Sequence, residues 1–375
     1  MSRRRKFRVR LTASHTVALA CATFAVLCLP MIAIPAASAQ TSGGWLPEIF
    51  GADKPGKAVP RKPTAHKSRS PEPEPGPGEL RRQRLTGVRT WGYQLRLLRF
   101  PEIAASPLDL VVIDHALSAG RRFVHQFTPE LIGLAKKKPE GGHRLVLAYL
   151  SIGEAERYRF YWDQAWYEPT KKPVWLGALN LEWEGNYLVR FWHPEWQRII
   201  LDGPDSYLGR IKAAGFDGIY IDRADVHSEW AKEKPDAEAA MAAFIHRLAA
   251  QARKDDPKFL VIMQNAEELV RRKPVLDAID GVAKEDLYYG IDHQATRNDR
   301  GNVESSLGYL RQAKRAGRRI FVVEYLDDAV KIRDASRRAV AEGFVFHFTG
   351  RDLGDLLQPV AGNTGSQTEA PSAPR

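Results

Sequence analysis

The sequence predicts an α/β fold, a (β/α)8 TIM-type barrel that carries an aromatic-rich insertion after its third strand. Short β-branched or aromatic runs alternate with helical patterns from residue 90 to residue 348. The runs DLVVID, RLVLAYL and FLVIM are almost continuously apolar, as strands covered on both faces must be. No G-x-G-x-x-G or Walker sequence follows any of them, so the phosphate turn of an open doubly wound sheet is missing.

Strands are expected at residues 90–95, 110–114, 145–151, 218–222, 259–264, 281–284, 320–324 and 344–348. Between several of them lie helices at 194–214, 236–254, 303–316 and 327–342, each long enough for a crossover. In the helix at 236–254, Ala240, Phe244, Leu248 and Gln251 share one face at three- and four-residue spacing, and Asp236 supplies a start signal. Residues 153–192 are too many for a plain loop and read as a lid-like insertion with an extra strand at 187–192.

Outside the body the composition changes. Residues 1–39 combine a basic start, an apolar run over 16–34 and the small residues Ala37-Ser38-Ala39, the layout of a secretory signal cleaved after Ala39. An uncleaved anchor is the alternative, because the apolar run is near spanning length. Residues 40–88, with PEPEPGPGE at 71–79, read as a disordered Pro/Gly/basic linker, 89–358 as the barrel, and 359–375 as a disordered tail. With the leader removed, a secreted or extracytoplasmic chain has no stable membrane partner. Both cysteines, Cys21 and Cys28, lie in the leader, which leaves no thiol for a disulfide, a metal or a nucleophile.

The net charge of +11 does not signal nucleic acid. Residues 1–90 hold 16 Lys and Arg against 5 Asp and Glu, which accounts for the whole surplus, and the other 285 residues carry 40 of each sign. A nucleic-acid footprint needs its cations on the binding domain itself.

In a barrel the chemistry sits at the carboxyl ends of the strands. Here those ends supply Asp114, Glu154, Asp222 with Asp225, Glu267 with Glu268, Glu285 with Asp286, and Glu324. Carboxylates gathered in one cavity repel one another, which raises some pKa values and separates an acid from a base. A helix cap is the competing role for any one of them. Seven of the nine tryptophans fall between Trp91 and Trp196, and they serve either as core or as platforms for a sugar face. There is no G-x-S-x-G elbow, no H-E-x-x-H and no Cys-based zinc pattern, so a hydrolase using carboxylates, without metal or other cofactor, remains.

The segments WGYQL (91–95), LDLVVID (108–114), VLAYLSIGEAERYRFYW (146–162), NYLVRFWHPEWQRII (186–200) and GFDGIYIDRAD (215–225) resemble the endo-α-1,4-polygalactosaminidase family. This is family 114 of the glycoside hydrolases, also labelled cysteinyl-tRNA synthetase-like extracellular proteins; no HIGH or KMSKS signature supports that second label. The resemblance implies a barrel that cleaves α-1,4-linked galactosamine polymers with two carboxylates and retention at the anomeric carbon. It implies Asp222, in IYID, as nucleophile and Glu285, in GVAKED, as acid/base, with Glu267 in QNAEE as the competing acid/base. A retaining pair stands about 5 to 5.5 Å apart. Substrate-lining positions are Trp91, Tyr93, Asp114, Tyr149, Glu154, Trp192, Tyr220, Asp225, Asn265 and Glu324, and the expected partner is a polysaccharide. Two other readings are open: a barrel glycosidase for another α-glycan, and a non-catalytic carbohydrate-binding protein.

Overall fold

The computed structural model describes residues 75–118 and 124–356. The leader at 1–39, the linker up to residue 74 and the tail at 359–375 lie outside the described residues.

The strands in chain order are β1 (Trp91–Gln94), β2 (Leu110–Ile113), β3 (Ala116–Ser118), β4 (Val124–Gln126), β5 (Leu145–Ser151), β6 (Glu154–Glu156), β7 (Leu176–Leu179), β8 (Asn186–Val189), β9 (Gly218–Asp222), β10 (Leu260–Gln264), β11 (Gly281–Glu285), β12 (Arg319–Glu324) and β13 (Val345–Phe348). Eight of them form one parallel sheet in the order β1-β2-β5-β9-β10-β11-β12-β13. The sheet curls until its edges meet, where the Trp91 indole on β1 donates to the Val345 carbonyl of β13 at 3.1 Å. This is the predicted (β/α)8 barrel.

Period-2 alternation builds two cores. Trp91, Val112, Leu147, Tyr220, Ile262, Ala283, Phe321 and Val345 point into the lumen, while Val111, Ala148, Ile221, Val261, Val282 and Val322 face the helices. The helices are α1 (Pro77–Thr86), α2 (Phe100–Ala105), α3 (Pro129–Ala135), α4 (Pro194–Leu201), α5 (Tyr207–Ala213), α6 (Ala237–Arg253), α7 (Lys273–Ala278), α8 (Arg300–Arg315) and α9 (Ala329–Ala341).

Three expectations change. The helix expected at 194–214 is two helices, because Gly203, at φ 89°, and Pro204 interrupt it. The insertion contains a three-stranded antiparallel sheet, β6-β8-β7, in place of a single strand, and β8 ends at Val189 rather than Trp192. The last part of the linker, expected to be disordered up to residue 88, holds α1. That helix lies against the amino-terminal end of the barrel, buries Leu85 in the lumen and reaches Asp280 through Arg81 at 2.8 Å and Asp217 through Arg84 at 2.6 Å. Burial of one leucine contributes about 1.5–3 kcal/mol, enough to hold a short polar helix that propensity alone would not.

Candidate active site

β9 ends on Asp222 and β11 on Glu285, with β10 between them. The alternation that sends Tyr220 and Ala283 into the lumen sends both carboxylates the same way, one layer nearer the mouth. The strands leave the barrel through tight exits in which Arg223, Asn265, Ala266 and Asp286 take left-handed φ values of 61°, 53°, 49° and 50°. Each costs a residue with a Cβ about 1–2 kcal/mol, and strain of this kind collects where surrounding structure fixes functional groups.

Neutral donors hold both carboxylates. The Tyr149 hydroxyl donates to Asp222 Oδ2 at 2.7 Å. The Tyr325 hydroxyl bonds to Glu285 Oε1, Asn265 Nδ2 donates to Glu285 Oε2 at 2.9 Å, and Asn265 Oδ1 accepts from the Glu285 backbone N–H at 3.1 Å. Tyr93 lies close enough to the pair that, after burial, their charges help hold its phenol well above the ordinary range.

Burial pushes the Asp222 carboxyl up, and the charges of Glu285 and Asp225 push it further, to about 8. Burial also raises Glu285, against the hydrogen bonds from Tyr325 and Asn265. Burial at both carboxyls and the charge of Glu285 on Asp222 favour keeping a proton at the pair, the condition for a site that needs one acid and one anion. Beside Glu285 opens a cavity of about 390 Å³ whose walls include Glu182 of the insertion, Asn265, Asp286, Asp292 and Arg351. Arg351 pairs with Asp286 at 2.6 Å and lies over the Tyr325 ring at 4.4 Å.

The structure brings Asp222, Glu285, Tyr93, Tyr149 and Asn265 together, and places Asp225 half-exposed at the rim, 3.3 Å from Arg223. Asp114 is gripped by both oxygens on Arg159 Nη1, at 2.7 and 2.8 Å. Although burial works the other way, Arg159 and His115 hold its carboxyl down to about 2.

Other expected lining residues sit elsewhere. Trp91 is 1% exposed and Tyr220 wholly covered, both packed into the lumen beneath the pair, so neither offers a face to a sugar. Glu154 is fully buried, with its oxygens taken by Asn180, Asn186 and Arg223. Glu324 points away from the lumen, accepts the Tyr288 and Tyr289 N–H groups at 2.8 and 3.2 Å, and is raised to about 8 by burial. Glu267, the competing acid/base, bonds to Ser306 of α8 at 2.5 Å on the helix side of the sheet. Trp192 packs edge-on to Trp230 at 5.4 Å, with the Lys234 ammonium over its ring.

A model of glycoside-hydrolase family GH114 matches residues 78–365. The chain belongs to that family. Its relatives include an uncharacterized protein of Methanocaldococcus jannaschii, 36% identical over 255 residues, which are 66% of this chain and 69% of that one. Another, from Deinococcus radiodurans, is 33% identical over 276 residues, 73% of this chain and 84% of its own. The glycoside hydrolase domain of PelA from Pseudomonas aeruginosa superposes with a TM-score of 0.56 over 72% of this chain and 98% of that domain, at 19% identity, and so shares the fold.

Within this GH114 barrel the sequence reading passed over Tyr325, Arg159 and Arg351. A signal for Tyr325 was present: Phe321 and Val323 face the lumen, so the same parity sends Tyr325 inward and Glu324 outward. Arg159 has a local partner in Glu156, three residues before it, but its second partner Asp114 is 45 residues away, and the Arg351 partner Asp286 is 65 residues away.

Proposed function

We propose that the protein is an exported endo-glycosidase that hydrolyses α-1,4-linked galactosamine-type polysaccharide through Asp222 and Glu285, with retention. The observation that carries the reading is the pair itself: two half-buried carboxyls with upward-shifted pKa values, held by tyrosine and asparagine at the mouth of a GH114 barrel.

With the pair's proton moved to Glu285 in the substrate complex, Asp222 attacks the anomeric carbon as the carboxylate and forms a glycosyl ester, while Glu285 gives that proton to the departing glycosidic oxygen. In the second, Glu285 takes a proton from water, the water oxygen attacks the same carbon, and the Asp222 carboxylate is released. Tyr149 orients the nucleophile, and Asn265 and Tyr325 orient the acid. A galactosamine polymer with free amines is cationic, and Glu182 and Asp292 in the cavity wall have no ion-pair partner among the described residues, which suits ammonium groups. Export rests on the leader at residues 1–39.

The test is the product profile from deacetylated α-1,4-galactosamine polymer, with starch in parallel. Internal cleavage of the amino-sugar polymer supports the reading. Cleavage of starch alone replaces it with a neutral α-glucanase, and binding without cleavage of either replaces it with a carbohydrate-binding protein.

A further inference from the structure

Most tryptophans of the insertion pack with one another and with α4, and Trp183 does not. Trp162, Trp166, Trp175 and Trp196 run ring to ring at centroid separations of 5.1, 5.1 and 5.0 Å and fill the space between the insertion and α4. Trp183 belongs to the turn joining β7 to β8 and is 49% exposed, next to Leu181 at 92%. Between these two, Glu182 lines the cavity that Glu285 also lines. A turn that exposes a leucine and a tryptophan on either side of a cavity-lining carboxylate is not using them as core, and exposed apolar groups at the rim of a site mark binding.

The turn is also fixed in place. Asn180 Oδ1 accepts the backbone N–H groups of Glu182 and Trp183 at 2.9 and 3.3 Å, and the Asn186 N–H returns to the Trp183 carbonyl at 3.1 Å. Beneath it, buried Glu154 receives Asn180 Nδ2 at 2.8 Å, Asn186 Nδ2 at 3.1 Å and Arg223 Nη2 at 2.9 Å. Arg223 is the residue after Asp222. The segment opening the insertion lies against the same place, since a Cβ on Gly153 would run into the Arg223 carbonyl. One buried carboxylate therefore ties the hairpin tip to the strand end that bears Asp222.

We propose that the tip of the β7–β8 hairpin is a sugar-binding subsite beyond the cleaved bond, where the Trp183 indole stacks on a pyranose face of the substrate chain whose neighbouring unit lies in the cavity against Glu182. Glu154 is its positioning residue. Occupancy by the polysaccharide follows from the continuity of the tip with the cavity beside Glu285 and from an aromatic face left free at that edge. The proposal rests on the glycosidase reading above and adds to it a reason for preferring long chains.

The experiment compares kcat/KM on the galactosamine polymer and on its trisaccharide for the wild type, Trp183→Ala, Glu154→Gln and Val330→Ala, an exposed α9 position serving as control. Trp183→Ala is expected to lose about tenfold on the polymer through KM, several-fold more than on the trisaccharide. Glu154→Gln is expected to shift the polymer KM in the same direction, and Val330→Ala to follow the wild type. Equal losses on both substrates, or no loss on the polymer, overturn the subsite. In a second arm, polymer affinity is measured for Asp222→Asn with and without Trp183→Ala, expecting about a tenfold weakening; an unchanged affinity overturns the subsite. If the wild type cleaves neither substrate, the glycosidase reading fails, and this binding arm still decides the subsite.

Discussion

The two ends of the barrel differ in how they hold their central carboxylates, although Asp114 and Asp286 at the mouth are paired with Arg159 and Arg351. At the amino-terminal end, Asp280 receives Arg81 at 2.8 Å, Arg253 at 2.7 Å and the Val261 N–H at 2.9 Å. Asp217 there receives Arg84 at 2.6 Å, Lys136 at 3.1 Å and the Val146 N–H at 3.0 Å. At the carboxyl-terminal end, Asp222 and Glu285 face each other's charge with phenols and an amide for company. Matched charge ties the floor together, while the mouth holds charge that a cationic neighbour would neutralise. The larger cavity, about 620 Å³, is at the floor, walled in part by Arg84, Lys136 and Asp217, which are committed to one another. Volume alone therefore points to the floor, whereas the raised carboxyls and the barrel architecture point to the mouth.

Substitutions at the two ends should have opposite consequences. The largest effect is expected at the mouth: Asp222→Asn and Glu285→Gln should each lower the hydrolysis rate at least about 10³-fold while leaving circular dichroism unchanged. Wild-type rates in both would remove the assignment. At the floor, Asp280→Ala leaves Arg81 and Arg253 without their shared partner and should cost about 3–5 kcal/mol in denaturant unfolding. Its kcat should stay near wild type where the protein remains folded, and a loss of kcat in folded protein would mean that the floor takes part in turnover.

A smaller effect sharpens the contrast. Because the Asp222 pKa in the folded chain, about 8, lies above the unfolded value, the unfolded chain gives up the proton first and the charged group destabilises the fold as pH rises. The cost begins above about pH 4 and is full only above about pH 8. Asp222→Asn should thus be more stable than the wild type by at least about 1 kcal/mol at pH 8.5, with little difference at pH 4. An equal gain at both values would show that the carboxyl is not held protonated by the fold.

Much of this contrast was legible in the sequence, and the illegible part has a physical cause. Runs such as DLVVID and GIYID mark strands because burial on both faces leaves no room for polar side chains, and the inward position of Asp222 follows from its strand. Counting strand parity would have set Glu324 apart from Glu285, since one residue along β12 reverses the face. The floor was invisible. Helix α1 has a basic, proline-bearing sequence like that of a tether, and its place depends on Asp280, 199 residues from Arg81. Glu154 read as a site acid because it follows the carboxyl end of the third strand, whereas Asn180, Asn186 and Arg223 surround it only after β6, β7 and β8 have paired.

The most direct measurement is to trap the glycosyl ester with a slow, activated 2-fluoro galactosyl substrate, digest the protein and locate the added mass by mass spectrometry. Attachment to Asp222, abolished in Asp222→Asn, is the predicted result. Attachment to Glu285 or to any other side chain would contradict the account.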